Sequence, residues 1–277
     1  MTDALLTAVR SGLRTYDLSR PYEIGMPQSP NHPAYWHSLP RRHGDMVRGD
    51  GGSAANDIIV MGTHVGTHMD ALGHVSQDGV LHGGDSAADA QVGGRFRDHG
   101  IHAFTPGLMR GLLLDVPATL GLEACEPGYE ITPTDLDATV ALQGDTPEPG
   151  DVLLVRSGWG KRWSEGAAYI GKDSGVPGVG EAGARWLAAH QPCAVGADTI
   201  AFECLPPGKG HAELPAHRVL LVEEGINLIE TMNLEELSAD AVFEFALILV
   251  PLPFVGATGS PTRPIALVSL SGDRGVS

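Results

Sequence analysis

The stretch on which the interpretation of this chain depends is residues 63–74, with the sequence THVGTHMDALGH. It contains three histidines and one aspartate: His64, His68, Asp70 and His74. A lone histidine is most often a surface residue or a satisfied core residue. Four such groups together are a poor way to build a core, because every buried polar group needs a partner. The stretch therefore predicts a site with chemistry of its own.

The spacing within this stretch limits its geometry. His64 and His68 are four residues apart, which would place them on one face of a helix, but the β-branched neighbours and Gly66 disfavour a helix. On a straight strand four residues span about 13 Å, too far for two ligands of one ion with bonds of about 2 Å. We therefore predict that the chain bends at Gly66. His68 and Asp70, two residues apart, would face the same side of a strand.

Two imidazoles and one carboxylate are the ligand set of an open catalytic metal site. His64, His68 and Asp70 supply this set, and His74 is then the remaining titratable group. Its ordinary pKa of about 6.5 suits proton transfer at such a site. Nitrogen and oxygen ligands suit both Zn²⁺ and Mn²⁺, so both ions stay open.

Short apolar runs without alternation predict buried strands, and capped periodic segments predict helices. The predicted strands are residues 57–61, 111–116, 151–155, 194–197, 226–232, 243–250 and 264–270, and the predicted helices are residues 3–12, 132–144, 182–190 and 214–224. This order predicts an α/β fold over residues 1–277: a single domain with one core, a mixed sheet and flanking helices. Residues 20–56 lack a period and predict a long irregular segment, a class of loop that is usually functional.

Composition excludes several classes of function. The chain has 18 basic and 34 acidic residues and a net charge of −16, which predicts no nucleic-acid partner and no membrane partner. The hydrophobic share of 42% excludes intrinsic disorder. Three cysteines without close spacing, and a first segment without a secretory pattern, predict a cytoplasmic protein.

Residues 64–74 resemble the signature of the putative cyclase family, H-x-G-T-H-x-D-x-x-x-H. This family includes bacterial kynurenine formamidase and isatin hydrolase, which are metal-dependent amide hydrolases. Weaker matches follow in the family's order at residues 17–19, 153–159, 196–199 and 214–221. The first motif is specific, and the others add weight through their order.

The resemblance implies a swivelling β/β/α-type fold and a homo-oligomer, either a dimer or a tetramer. It also implies one or two divalent ions per chain, because the aspartate bridges two zinc ions in the formamidase. The implied metal ligands are His64, His68, Asp70, His217 and Glu230, with His74 as the catalytic acid and base.

Two features depart from the family. Leu72 stands where the family often has a proline, which bears on the turn towards His74. Residues 39–52 do not resemble the formamidase, although they are expected near the mouth of the pocket, so the formamidase substrate is not carried over. Glu223 and Glu224 lie near Glu230 in the sequence and are interpreted as a solvated helix end.

These observations predict a metal-dependent hydrolase that opens a cyclic or aryl amide, or a lactone, with arylformamidase-like or cyclic-amidase-like activity. Trp36, Trp159 and Phe202 are candidates to line a pocket for a small cyclic or aromatic substrate, with core packing as the alternative for at least one of them. Two other functions stay open. One is a cyclase or dehydratase of secondary metabolism, and the other is a non-catalytic protein that binds a metal or a small molecule.

Overall fold

The computed structural model describes residues 4–270, and its central feature is a sheet of nine strands. The strands are β1 (Leu13–Asp17), β2 (Trp36–Arg41), β3 (Asn56–Val60), β4 (His68–Asp70), β5 (Gln91–Val92), β6 (Arg95–Phe96), β7 (Gly107–Asp115), β8 (Glu130–Ile131), β9 (Val152–Arg156), β10 (Gly178–Val179), β11 (Ala194–Ala197), β12 (Asn227–Glu230), β13 (Glu244–Leu249), β14 (Gly259–Pro261) and β15 (Ile265–Ser269). The large sheet has the order β1-β15-β13-β7-β9-β11-β12-β4-β14, and three further pairs are β10-β8, β2-β3 and β5-β6.

The helices are short. They are α1 (Ala4–Ser11), α2 (Ala87–Ala90), α3 (Val116–Leu120), α4 (Pro133–Gln143), α5 (Ala167–Ile170), α6 (Glu181–Ala189), α7 (Pro215–His217) and α8 (Glu235–Ala239), with 3₁₀ turns at His82–Gly84, Ile101–Ala103 and Trp159–Glu165. Helix α7 continues directly into a π-helical segment, Arg218–Glu223. Within residues 4–270, none of the helices combines the length and the apolar character that a membrane crossing requires.

The four central strands of the large sheet are parallel, and both faces of the sheet are covered there. Strands β7, β9, β11 and β12 run parallel, whereas β13, β15 and β1 on one side and β4 and β14 on the other are antiparallel. Every residue of β9 and β11 is buried, as expected for apolar runs with a layer on both faces. The predicted α/β class with a mixed sheet and flanking helices is confirmed.

The apolar side chains form two main clusters, one on each face of this sheet. Leu153 and Val155 of β9 belong to the cluster that also contains Leu136 of α4 and Leu187 of α6, here called the cluster under the helices. Val152 and Leu154 belong to the cluster on the other face. Neighbouring residues of a strand point to opposite faces, so one buried strand supplies both clusters. The prediction of a single core was wrong for this reason.

Helix α4 begins and ends as its sequence predicts. The Thr132 hydroxyl accepts from the backbone N–H of Asp135, the Asp135 carboxylate accepts from the Thr132 N–H, and Pro133 occupies the first helical position. Gly144 ends the helix with φ of +83°, a conformation that favours glycine.

Residues 20–56 are not wholly irregular, and that prediction was wrong at β2. Strand β2 pairs antiparallel with β3, and its register shifts between Ser38 and Arg41. The shift spans Pro40, which has no N–H to donate to a ladder, so a strand containing it pairs imperfectly. This β2–β3 hairpin lies outside the large sheet, and every residue of β3 is exposed.

Leu154→Ala is expected to lower the free energy of unfolding by about 2–5 kcal/mol, because Leu154 lies fully buried in the central strand β9. Leu142→Ala on helix α4 is the control, since that side chain is 68% exposed, and it should change the value by at most about 0.5 kcal/mol. Urea unfolding measures both variants. Equal effects of the two substitutions would contradict the burial of β9 between two apolar layers.

Candidate metal centre

The predicted bend at Gly66 is confirmed. Gly66 has φ of +63°, and a side chain there would meet the ring of Tyr22 at 2.7 Å, so the turn requires glycine in both respects. The bend brings the rings of His64 and His68 to 5.3 Å between centroids and nearly perpendicular. Residues 64–67 form no helix, and the two histidines therefore approach each other through a turn.

Strand pairing brings Glu230 to the same place. In the ladder between β4 and β12, His68 lies opposite Glu230 and Asp70 lies opposite Leu228, so the side chains of His68, Asp70 and Glu230 share one face. His68 Nε2 lies 3.4 Å from Asp70 Oδ1 and 3.4 Å from Glu230 Oε2. His68 Nδ1 donates to the Gly66 carbonyl at 2.8 Å, which directs Nε2 towards the two carboxylates.

His217 reaches the same cluster from helix α7. Its Nε2 lies 3.2 Å from Glu230 Oε1 and 3.7 Å from Asp70 Oδ2. Its other ring nitrogen, Nδ1, lies 2.6 Å from Oε1 of Glu203. Sequence analysis did not select Glu203 as a site residue.

His64 and His74 form the other side of the cluster. His64 Nδ1 lies 2.6 Å from Asp70 Oδ1, and the rings of His64 and His74 stack with centroids 3.8 Å apart. The structure thus brings together all six residues predicted as ligands or as the acid/base. Residues 4–270 contain two groups of three residues whose ligand atoms, within each group, lie within 4.8 Å of one another. One group is His64, Asp70 and His74, the other is His68, Asp70 and Glu230, and Asp70 belongs to both.

Several buried atoms in this cluster make no hydrogen bond to any residue between 4 and 270. They are His68 Nε2, Asp70 Oδ2 and Glu230 Oε1, and each faces another member of the cluster. Buried polar atoms are nearly always partnered, and buried charges are either paired with an opposite charge or coordinated to a metal. Imidazole nitrogens and carboxylate oxygens are ligands that suit Zn²⁺ and Mn²⁺. These residues therefore fit a divalent metal ion.

The histidines of the cluster differ in the direction in which their pKa is shifted. Burial disfavours the charged form of His68 and of His217, but the neighbouring carboxylates outweigh it and raise the pKa of His68 to about 9 and that of His217 to about 10. Asp70 is also buried, yet the imidazoles of His74 and His64 hold its pKa well below the ordinary value. A bound cation would compete with the protons on His68 and His217.

His74 behaves in the opposite way. Burial lowers its pKa to about 3, which outweighs the attraction of Asp70 for a proton on the ring. The imidazole is therefore neutral near pH 7 and has a lone pair with which to accept a proton.

A small cavity of about 220 Å³ lies beside the cluster. It is lined by Ser29, Asn31, His32, His64, His74, Val75, Ile200, Ala201, His211, Leu214, His217 and Glu230. Two of these, His32 and His211, were missed by sequence analysis. The His32 ring lies 5.3 Å from that of His64, and burial lowers its pKa to about 4. The available signals were the lack of a period in residues 20–56, which predicted a functional segment around His32, and the position of His211 six residues before His217.

The three aromatic residues proposed for the pocket do not line this cavity. Trp36 is 56% exposed on the β2–β3 hairpin, Trp159 is buried and donates to the Tyr169 carbonyl at 2.7 Å, and Phe202 is buried in the core under the helices. Apolar aromatic rings pack into the core or onto the surface without reference to a site, so residue type alone did not locate them. Residues 39–52 form the end of the hairpin and do not line the cavity either.

The interpretation of Glu223 and Glu224 as a solvated helix end is confirmed. Both are exposed, and Glu223 pairs with Arg185 at 2.9 Å on the protein surface. Glu230, by contrast, is 5% exposed and faces the cluster.

Comparison with known proteins places this arrangement in a family. The family model described as Putative cyclase matches residues 16–204. An isatin hydrolase from Roseibium aggregatum is 26% identical over 223 residues, which cover 79% of this chain and 77% of that protein. A cyclase-like protein 3 from Oryza sativa subsp. japonica is 28% identical over 224 residues, covering 79% of this chain and 67% of that protein.

A solved structure described as a novel cyclase superposes with a TM-score of 0.83 at 30% identity, covering 96% of this chain and 93% of that one. The predicted fold class is thereby confirmed. The family model spans the whole of residues 64–74, the turn and strand on which the cluster is built. The chain belongs to the putative cyclase family.

Proposed function

We propose that this protein is a metal-dependent hydrolase that opens a small cyclic or aryl amide, or a lactone. The observation that supports this most directly is the group of orphaned buried atoms on His68, Asp70 and Glu230, next to a cavity that also contains the neutral imidazole of His74. When bound, a divalent cation lowers the pKa of water and polarises a carbonyl group.

Different residues of the cluster would hold the metal and transfer the proton. His64 and His68 face one oxygen of Asp70 and His217 faces the other, with Glu230 beside His68 and His217. These residues would hold one ion or two, and Asp70 would contribute to either. In the proposed reaction His74 accepts a proton from the attacking water and returns it to the leaving nitrogen or oxygen. Near pH 7 the ring is neutral, the form that a general base must have, and burial also makes it a weaker base than an exposed imidazole.

The size of the cavity favours a compact substrate. Its volume of about 220 Å³ is below the roughly 300–1,000 Å³ of pockets for drug-sized ligands. A single or fused ring is of suitable size. The relationship to isatin hydrolase supports the choice of a cyclic amide. The choice between zinc and manganese and the cytoplasmic location remain predictions from the sequence.

We also propose that the protein is a homo-oligomer, with the β2–β3 hairpin as the contact. Ile58, Ile59 and Val60 are each more than half exposed, although an isolated two-stranded hairpin is marginally stable in water. Beside the hairpin lies an apolar groove of about 690 Å³ that includes Leu252 and Phe254. A second copy of the chain would cover both features at once, as in a two-fold interface.

Removal of divalent metal by a chelator should abolish the hydrolysis of isatin, N-formylkynurenine or a simple lactone, and return of Zn²⁺ or Mn²⁺ should restore it. The reason is that the proposed reaction needs the cation that these buried ligand atoms would hold. Elemental analysis gives the bound metal per chain, and product analysis gives the rate and distinguishes ring opening from ring closure. A metal-free, folded protein with full activity would contradict the proposal.

His74→Ala should lower kcat by about 10²–10⁴-fold while the bound metal stays constant, because the variant loses a proton acceptor and keeps the main ligands. His190→Ala at the end of α6 is a matched control, since that histidine bonds only locally to the Trp186 carbonyl. It should leave the rate unchanged. If His74→Ala loses metal in proportion to activity, His74 is a ligand and its assignment as the acid/base is wrong.

The double variant Ile58→Ser/Val60→Ser should shift the molar mass in light scattering from a multiple of 29.0 kDa to that of a single chain. Ile58 and Val60 are two residues apart on β3, so their side chains lie on the same face of the strand. Leu142→Ser, which removes a similarly exposed apolar side chain from α4, should leave the mass unchanged. An unmodified protein of 29.0 kDa in solution would refute the oligomer.

A further inference from the structure

Glu203 is a fully buried carboxylate outside the predicted set of site residues. It is 0% exposed, and its two oxygens accept three hydrogen bonds. Oε2 accepts from the backbone N–H of Ala216 at 3.0 Å, and Oε1 accepts from the backbone N–H of His217 at 3.1 Å. The third donor is the His217 ring, whose Nδ1 lies 2.6 Å from Oε1. Glu203 thus holds both the backbone and the ring of one residue.

The backbone reaches this position through an uncommon conformation. Phe202, immediately before Glu203, has φ of +59°, a value at which a bulky residue is rarely found. Beyond it, the N–H of Cys204 bonds to the Val179 carbonyl at 3.0 Å. A side chain at Gly178 would lie 2.4 Å from the Glu203 carbonyl carbon, so the glycine permits the close approach. Strained residues of this kind persist where the surrounding structure requires them, often at functional sites.

The contacts of Glu203 distinguish it from an ordinary buried ion pair. Among residues 4–270 its ion-pair partner is His217, and no lysine or arginine pairs with it. Through the same histidine it is linked to Glu230 and Asp70, which lie 3.2 Å and 3.7 Å from His217 Nε2. Three buried carboxylates therefore converge on one imidazole. A proton on that ring balances one negative charge, whereas a divalent cation beside it balances more.

We infer that Glu203 is a positioning residue that keeps the proton on His217 Nδ1 and so presents the Nε2 lone pair to a divalent cation held with Glu230 and Asp70. This inference rests on the proposed metal-dependent function and adds a residue to it. A histidine that donates its second N–H to a carboxylate is fixed in orientation and is a more basic ligand.

The geometry also makes the effect local. Glu203 contacts His217, which lies against Glu230 and Asp70, whereas His64 contacts Asp70 and stacks on His74 without touching Glu203. Loss of the Glu203 charge should therefore weaken the ion bound through His217 more than an ion bound through His64.

The test is the dissociation constant of Zn²⁺ for Glu203→Gln, measured by competition with a chromophoric chelator. We expect affinity to fall about 10–100-fold, because the amide has lost the charge and places an NH₂ group against a backbone donor. The matched control is Glu181→Gln. It removes an ion pair at 2.7 Å with Arg218, the residue after His217, without touching the His217 ring, and should leave affinity unchanged.

Two further readouts separate positioning from a general loss of structure. The melting temperature in excess chelator shows whether Glu203→Gln is folded without metal. The visible spectrum of the Co²⁺-loaded protein reports the ligand geometry and should change for Glu203→Gln but not for Glu181→Gln. Glu203→Asp, which keeps the charge, should recover part of the lost affinity.

A folded Glu203→Gln variant with unchanged Zn²⁺ affinity would overturn the role of Glu203 while the metal-dependent function stands. If the variant does not fold, the inference is tested on the unmodified Zn²⁺-loaded protein instead. Nitrogen NMR of the histidine rings should show His217 with a proton on Nδ1, and a proton on Nε2 would overturn the inference. An unmodified protein that binds no Zn²⁺, Mn²⁺ or Co²⁺ would overturn both this inference and the proposed function.

Discussion

The antiparallel pairing of β4 with β12 is the constraint on which the rest of the site depends. It sets His68 opposite Glu230 and puts Asp70 on the same face, at the boundary between the parallel strands and the antiparallel edge of the sheet. A shift of one residue would turn these side chains towards the other face. Because all three are buried, ionisable groups are brought out of water together, and only mutual pairing or a cation can compensate for the lost hydration.

The same constraint explains why neighbouring histidines differ so much. His68 and His217 lie against carboxylates and hold their protons, whereas His74 is stacked on another imidazole and is neutral. One cluster thus contains both groups that a cation can deprotonate and a group that is free to accept a proton. This division follows from position within the cluster, because all three side chains are chemically identical.

Much of the local structure could be predicted from the sequence because its causes are local. The bend at Gly66, the capped start of α4 at Thr132 and the covered strand β9 each follow from a few adjacent residues. The six residues predicted as ligands or as the acid/base also meet in the structure. Long-range features were less accessible: β2 was interpreted as irregular, and two apolar clusters were taken for one core. Trp36, a candidate for the pocket, is exposed on the β2–β3 hairpin and does not line the cavity.

By itself, the sequence determined that histidines and a carboxylate meet at a glycine turn, since the spacing within residues 64–74 allows few other geometries. Only the tertiary structure decided what surrounds them. His32 comes from the segment between β1 and β2, and Glu203 and His211 come from the segment between β11 and α7. Their local sequence gives weak signals for the two histidines and none for Glu203. Their roles arise from distances across the fold, where burial and neighbouring charges set the behaviour of each group, and no local pattern encodes those distances.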